Sequence, residues 1–301
     1  MICARCGETL APSDRFCEAC GEPTELGTAT LDATCRKEED KGTAAAVSDR
    51  GRARPHNEDA YSLATDGDIG AVVVCDGVAT TTESGMAAGA ASRAAIDRLR
   101  RGLRRSDEWT DLMTEAIHAA QDVLSQRSSD DGPAFEGSTT IVAALVQPGQ
   151  VVVGNVGDSR AYWVGGDGSS ALLSVDDSWL REAMDSGLSE RAARTSPRAH
   201  EITGWLGPDA PAIEPHVRRY SPPGDGVVIV CSDGLWNYAE SADSIAALVK
   251  GSTDRRPAGI AGHLVQFALG EGGGDNITVG VVRSCQTVRS SDGQMTGEED
   301  C

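Results

Sequence analysis

Aspartates recur in this chain at positions where one carboxylate alone is an ordinary turn residue, but several together call for a cation. Five short segments carry them: Arg54-Pro55-His56-Asn57-Glu58-Asp59, Val74-Cys75-Asp76-Gly77, Gly157-Asp158-Ser159-Arg160, Cys231-Ser232-Asp233-Gly234 and Gly274-Asp275-Asn276-Ile277-Thr278. Most place the aspartate where an apolar, strand-like run meets a turn. Carboxylates brought together there from distant parts of the chain repel one another unless a hard divalent cation neutralises them. Asp59, Asp76, Asp233 and Asp275 are therefore the candidate metal ligands. Glycine follows Asp76 and lets the backbone approach a ligand closely, so the Gly77 carbonyl is a further candidate. An all-oxygen set with room for water suits octahedral Mg²⁺ or Mn²⁺.

A second constellation lies at the N-terminus. Cys3-x2-Cys6 and Cys17-x2-Cys20 are separated by ten residues, and each pair is followed by glycine, Gly7 and Gly21. Two such knuckles supply four thiolates to one tetrahedral Zn²⁺. So short a segment cannot build a core, so the metal would supply its folding energy. A closed four-cysteine site is structural, and residues 1–23 are similar to the short zinc ribbons at the N-termini of many bacterial regulatory proteins. A redox dithiol needs only one such pair.

The elements that must position the aspartates follow from the apolar pattern. Residues 24–43 show no apolar period and read as a linker. Strands are expected at 44–48, 60–64, 70–75, 139–146, 150–156, 160–164, 226–231 and 277–282, all rich in Val, Ala and Ile. Helices are expected at 84–101, 109–127, 241–250 and 256–269, where Leu, Ile and Ala recur at three- and four-residue spacing. Residues 285–301 are polar and read as a disordered tail. Strands, two helices, more strands, helices and a last strand do not alternate as a parallel α/β fold would. The order predicts an α+β domain, 44–284, of antiparallel sheets covered by helices.

Taken in order, the five motifs resemble the metal-dependent serine/threonine protein phosphatase family, type 2C, in its bacterial branch. The resemblance covers about residues 44–283. It implies a four-layer α-β-β-α sandwich with metals at one end, and it implies roles. Asp76 would bridge two Mn²⁺ or Mg²⁺ ions, one of them also held by the Gly77 carbonyl. Asp233 and Asp275 would hold one ion, Asp59 would lie on or near the pair, and Glu58 would act through water. Asp158 would serve a weaker third ion, shared with Asp233. Arg54 would clamp the substrate phosphate with its planar guanidinium, and Asn276 would orient the last loop. The implied reaction is hydrolysis of phosphoserine and phosphothreonine by a water activated between two ions.

Two departures from the family pattern stand out. After Asp76-Gly77 relatives usually carry a histidine, but this chain reads Val78-Ala79-Thr80-Thr81-Thr82-Glu83. The usual acid for the leaving alkoxide is missing, which leaves a water on the metal or Glu83 and should hurt alkyl phosphates more than aryl ones. Asp176-Asp177-Ser178 stands where relatives often have Asp-His-Ser. Residues 177–212 resemble the family's flap, in which Arg194 and Arg198 are either solvated or dock an acidic phosphopeptide. His56 reads as a solvent-facing or outer histidine, and His118, His200, His216 and His263 show no ligand spacing.

A formal net charge of −19, from 46 acidic and 27 basic residues, argues against nucleic acid as a partner. No apolar run approaches the ~18 residues of a membrane span, and the N-terminus is unlike a signal peptide. The expected setting is a reducing cytoplasm, with an opposing serine/threonine kinase and phosphoproteins as partners and the ribbon as a protein-docking element. The competing reading is a phosphatase-fold regulatory or binding module with little turnover.

Overall fold

The structure is a computed structural model that describes residues 2, 3, 9, 36–78, 83–103, 108–127 and 136–286. The described residues form eleven strands, the central ones from runs of Val, Ala and Ile: β1 (Arg36–Asp40), β2 (Ala44–Asp49), β3 (Ala60–Asp66), β4 (Ile69–Cys75), β5 (Ile141–Gln147), β6 (Gln150–Val156), β7 (Arg160–Gly165), β8 (Ser170–Leu172), β9 (His216–Tyr220), β10 (Gly226–Cys231) and β11 (Ile277–Ser284). They pair into a six-stranded sheet, β1-β2-β11-β10-β7-β8, and a five-stranded sheet, β3-β4-β5-β6-β9. Every pairing is antiparallel.

Side chains alternate across each strand, and both faces of the central strands are buried. On β4, Ala71, Val73 and Cys75 pack under helices α1 (Ser84–Gly102) and α2 (Trp109–Arg127), while Val72 and Val74 meet the other sheet. On β10, Ile229 and Cys231 pack under α6 (Ala242–Gly251) and α7 (Pro257–Glu271), while Val228 and Val230 enter the inter-sheet core. The layers are therefore helix, sheet, sheet, helix, with one apolar core in each gap. Helix α1 is built for close packing. Ala87, Ala88, Ala91, Ala95 and Leu99 repeat on one buried face, and Arg100 and Arg101 sit at its C-terminal end, where the helix dipole favours cations. Three short helices complete the chain: α3 (Trp179–Asp185), α4 (Glu190–Arg194) and the single turn α5 (Asp233–Trp236). Ser178 and Ser189 cap the first two through their hydroxyls.

The structure differs from expectation at the edges. Residues 36–40, read as linker, form β1, which pairs with β2 from Arg36↔Asp49 to Asp40↔Ala45. Its Arg-Lys-Glu-Glu-Asp sequence has no apolar residue because an edge strand over solvent buries almost nothing and is held by main-chain bonds. Strands β8 and β9 were likewise unforeseen, and both are edges. At the other end, Gln286 is fixed by Asp225 Oδ1 and by the Pro222 and Gly224 carbonyls, so the tail begins later than 285. Cys285 is disulfide-bonded. Of the four ribbon cysteines, Cys3 is buried beside an Ile2–Thr9 bridge, while Cys6, Cys17 and Cys20 lie outside the described residues. Among the described residues, no helix is long and apolar enough to cross a membrane.

Candidate active site

Strand register brings the five aspartates to one end of the sandwich. Ala60 pairs with Cys75, so Asp59 enters β3 beside the point where Asp76 leaves β4. Cys231 pairs with Arg160 on one side and Val279 on the other, so Asp233 emerges near Asp158 and Asp275. Ser232 joins the two sheets. Its hydroxyl donates to Asp59 Oδ2 at 2.8 Å and accepts from the Thr278 N–H at 3.0 Å. The approach is close: a Cβ on Gly234 would overlap the Asn276 carbonyl, and one on Gly77 would press on the Glu58 carbonyl.

The main chain at Asp76 is held by residues that the motif reading passed over. Thr139 Oγ1 and the Thr140 N–H both donate to the Asp76 carbonyl at 2.8 Å, and Thr140 Oγ1 accepts from the Asp76 N–H at 3.3 Å. Thr140 Oγ1 also meets Ser159 Oγ of the third motif at 2.8 Å. A polar Thr-Thr step ahead of an apolar strand was the available signal. Asn276 bonds to a loop distant in sequence. Its Oδ1 accepts from the Glu58 N–H at 2.8 Å, and its Nδ2 donates to the Arg50 and His56 carbonyls at 2.7 and 2.9 Å. It thereby stitches the first motif to the last. The carboxylate of Glu83, the alternative acid, accepts from the Glu136 N–H.

The electrostatics are those of a crowded anionic site. Burial, then the charge of Asp59 and Asp233, pushes Asp76 well above the usual carboxylate range. Asp59 is raised to about 7 by burial and by Asp233 and Asp275. Asp158 is raised to about 7 by burial, then by Asp233 and Asp176. Asp233 is raised to about 6 by burial and Asp275, and it shares a hydrogen bond with Asp76. Arg54 Nη2 donates to Asp275 Oδ2 at 2.6 Å, and this bond raises the arginine above its ordinary value.

The donor set is of the all-oxygen type that hard cations take. Five mutually repelling carboxylates meet there, eased by Arg54 at Asp275 and by Arg160 at Asp158, and Asp59 Oδ1 is a buried oxygen without a hydrogen-bond partner. Against a finished cage, no three described His, Cys, Asp or Glu side chains converge closely enough to enclose one ion. Asp233 lies within hydrogen-bond reach of Asp76 and Arg54 occupies Asp275, so the residues fit the ions in the chemistry of their donors.

A cleft of about 240 Å³ opens from Asp158 and Asp233 toward the flap. Arg160 forms one wall, its guanidinium 3.9 Å over the Trp236 ring and within 3.1 Å of Asp176. Arg194 closes the far side by pairing with Glu240 at 2.8 Å, whereas Arg198 pairs with Glu201 at 2.7 Å and leans on Trp179. Both flap arginines are exposed, each paired with a glutamate.

A family model described as "Protein phosphatase 2C" matches residues 50–261. The chain belongs to the protein phosphatase 2C family. Among similar proteins is the serine/threonine phosphatase stp of Listeria innocua, 28% identical over 236 residues, 77% of this chain and 91% of that one. The PPM Ser-Thr phosphatase MsPP of Mycobacterium smegmatis, solved with cacodylate, superposes with a TM-score of 0.61 at 27% identity, over 79% of this phosphatase and 97% of its own chain. The catalytic domain of the serine/threonine phosphatase PstP, solved with two manganese ions, gives a TM-score of 0.64 at 23% identity over 82% of this phosphatase and 98% of its own chain, a likeness of fold.

Proposed function

We propose that this phosphatase hydrolyses phosphoserine and phosphothreonine in proteins with two Mn²⁺ or Mg²⁺ ions. The observation that carries the reading is the meeting of Asp59, Asp76, Asp158, Asp233 and Asp275 at one end of the sandwich, each of the first four held reluctantly as an anion. Asp76 would serve both ions, the Gly77 carbonyl one of them, and Asp233 and Asp275 would hold one ion. Asp59 would lie beside the pair with its unpartnered oxygen, and Asp158 would serve a weaker third ion with Asp233. When bound, the ions supply Lewis acidity to the phosphate and to the attacking water.

The chain's own residues do the rest. Arg54 gives up Asp275 and forks its N–H groups onto the non-bridging oxygens of the phosphate. Asn276 keeps the Glu58 and His56 backbone in place, and with it the loop that carries Arg54. The water oxygen bonds to phosphorus and gives up a proton to solvent, the bond to the serine or threonine oxygen breaks, and the departing oxygen would take its proton from a water in the site or from Glu83, because residues 78–83 hold no histidine. The test compares phosphothreonine peptide with an aryl phosphate. Hydrolysis of both supports the reading, with the histidine dispensable. Hydrolysis of the aryl ester alone shows that the leaving group is the weak point. Hydrolysis of neither, with Mn²⁺ bound, returns the chain to the competing binding-module reading.

The same proposal extends to the partners. An opposing kinase would supply the phosphoproteins in the cytoplasm. Cys3, Cys6, Cys17 and Cys20 would hold one structural Zn²⁺ in a ribbon that docks a protein. Elemental analysis of the full chain should return one zinc per molecule, and a value of zero sinks the ribbon without touching the phosphatase.

A further inference from the structure

Asp177 stands where relatives often carry histidine, and the structure shows what the aspartate holds. Its Oδ2 accepts from the Gly157 N–H at 2.8 Å, one residue ahead of Asp158. Its own N–H donates to the Gly157 carbonyl at 3.0 Å, and its carbonyl accepts from the Thr203 N–H at 2.9 Å. His216, on edge strand β9, donates from Nε2 to Asp177 Oδ1 at 2.7 Å. One residue thus joins the β6–β7 turn, both ends of the flap and the sheet edge. Packing leaves it little freedom, since a Cβ on Gly204 would press within 2.7 Å of the Asp177 carboxylate.

We propose that Asp177 and His216 form a positioning pair that fixes Asp158 in the site and ties its placement to the flap. The chemistry explains why the two residues go together. Gly157 and His216 are both donors, and serving both needs two acceptor atoms on one side chain. A carboxylate has them, whereas a neutral imidazole has only one. Gly157 sits at φ +100°, a conformation that favours glycine, immediately ahead of Asp158, and its N–H and carbonyl are both held by Asp177. Asn155 supports the same turn through Nδ2, which donates to the Val175 carbonyl at 2.7 Å and the Gly157 carbonyl at 3.3 Å.

The inference rests on the reading of Asp158 as a ligand of the third ion. The experiment uses the full chain and Asp177→Ala, Asp177→Asn and His216→Ala. It measures Mn²⁺ binding by calorimetry, the Mn²⁺ concentration for half-maximal hydrolysis of a phosphothreonine peptide, and amide exchange at Gly157 and 202–206. Loss of an outer partner of a metal ligand typically costs about 10–100-fold in metal affinity, so Asp177→Ala should raise the Mn²⁺ requirement by roughly that factor and speed Gly157 exchange, with β4 amides unchanged. Asp177→Asn keeps an acceptor for Gly157 and should show the smaller effect, with His216→Ala between. A Mn²⁺ requirement and Gly157 exchange both within about two-fold of the parent, in a folded Asp177→Ala, overturn the proposal. If that variant does not fold, the same result in the other two overturns it. Should the parent hydrolyse nothing with Mn²⁺, the phosphatase reading fails, and calorimetry and Gly157 exchange still decide the role of Asp177.

Discussion

Asp59 shows in one side chain why this site is built for cations. One oxygen is satisfied by Ser232, and the other is buried without a partner. Such an atom is costly to keep unless something positive reaches it. Ser232→Ala removes the Asp59 bond and the acceptor for the Thr278 N–H together. Leaving a buried polar group unmatched costs about 1–3 kcal/mol, so the variant should melt lower and need more Mn²⁺. Differential scanning fluorimetry with and without Mn²⁺ reads both, and an unchanged melting curve contradicts the bridging role. Arg54 makes a second residue-scale prediction. Lysine keeps the charge but loses the fork, and a hydrogen bond to a charged group is worth about 1.5–3 kcal/mol, so Arg54→Lys should lower kcat/KM roughly ten- to a hundred-fold. Steady-state kinetics on a phosphothreonine peptide checks it, and parent-like kcat/KM rules out a bidentate clamp.

At the scale of elements, the site is a set of strand ends held in register. Asn276 links the loop before β3 to the loop before β11 through three hydrogen bonds. Asn276→Ala leaves the Glu58 N–H and the Arg50 and His56 carbonyls without it, at about 1–3 kcal/mol for each one kept from water. The melting temperature should fall, and Mn²⁺-dependent activity should fall with it. A loss of activity at parent melting temperature would put Asn276 in direct contact with substrate instead. How much of this was legible follows the same physics. The strands β4 and β10 announced themselves because both faces are buried, which forces a continuous apolar run ending at Asp76 or Asp233. β1 and β9 did not, because an edge strand such as His216-Val217-Arg218-Arg219-Tyr220 is held by its backbone and advertises nothing in its side chains. Asp59, Asp158 and Asp275 stand in the motifs, whereas the long-range partners of Thr139, Thr140 and Ser232 are set by the fold, and a Thr-Thr step or a motif serine gives only the residue and not what it bonds.

The whole molecule carries a formal charge of −19 and gathers five carboxylates in one partly buried site. This sets its response to pH. Asp59 and Asp158 hold their protons to about pH 7 and Asp233 to about pH 6 in the folded chain. In the unfolded chain they release them near the ordinary aspartate value of ~3.9. Between these values the folded state binds more protons, so the stability of the chelated protein should be fullest below pH 4 on these groups' account and fall as pH rises through 6 to 7. Mn²⁺ binding competes with those protons, so its stabilising effect should be larger at pH 8 than at pH 5. Thermal melts across that range, with chelator and with Mn²⁺, check the sign. A chelated protein that grows more stable from pH 5 to pH 8 contradicts the crowded-carboxylate account. The most direct test is phosphate release from a phosphothreonine peptide by the parent chain and by Asp76→Asn, each with Mn²⁺ and with chelator. The account predicts release by the parent with Mn²⁺ only, and none by the variant; release that survives chelation or the Asp76 substitution would contradict it.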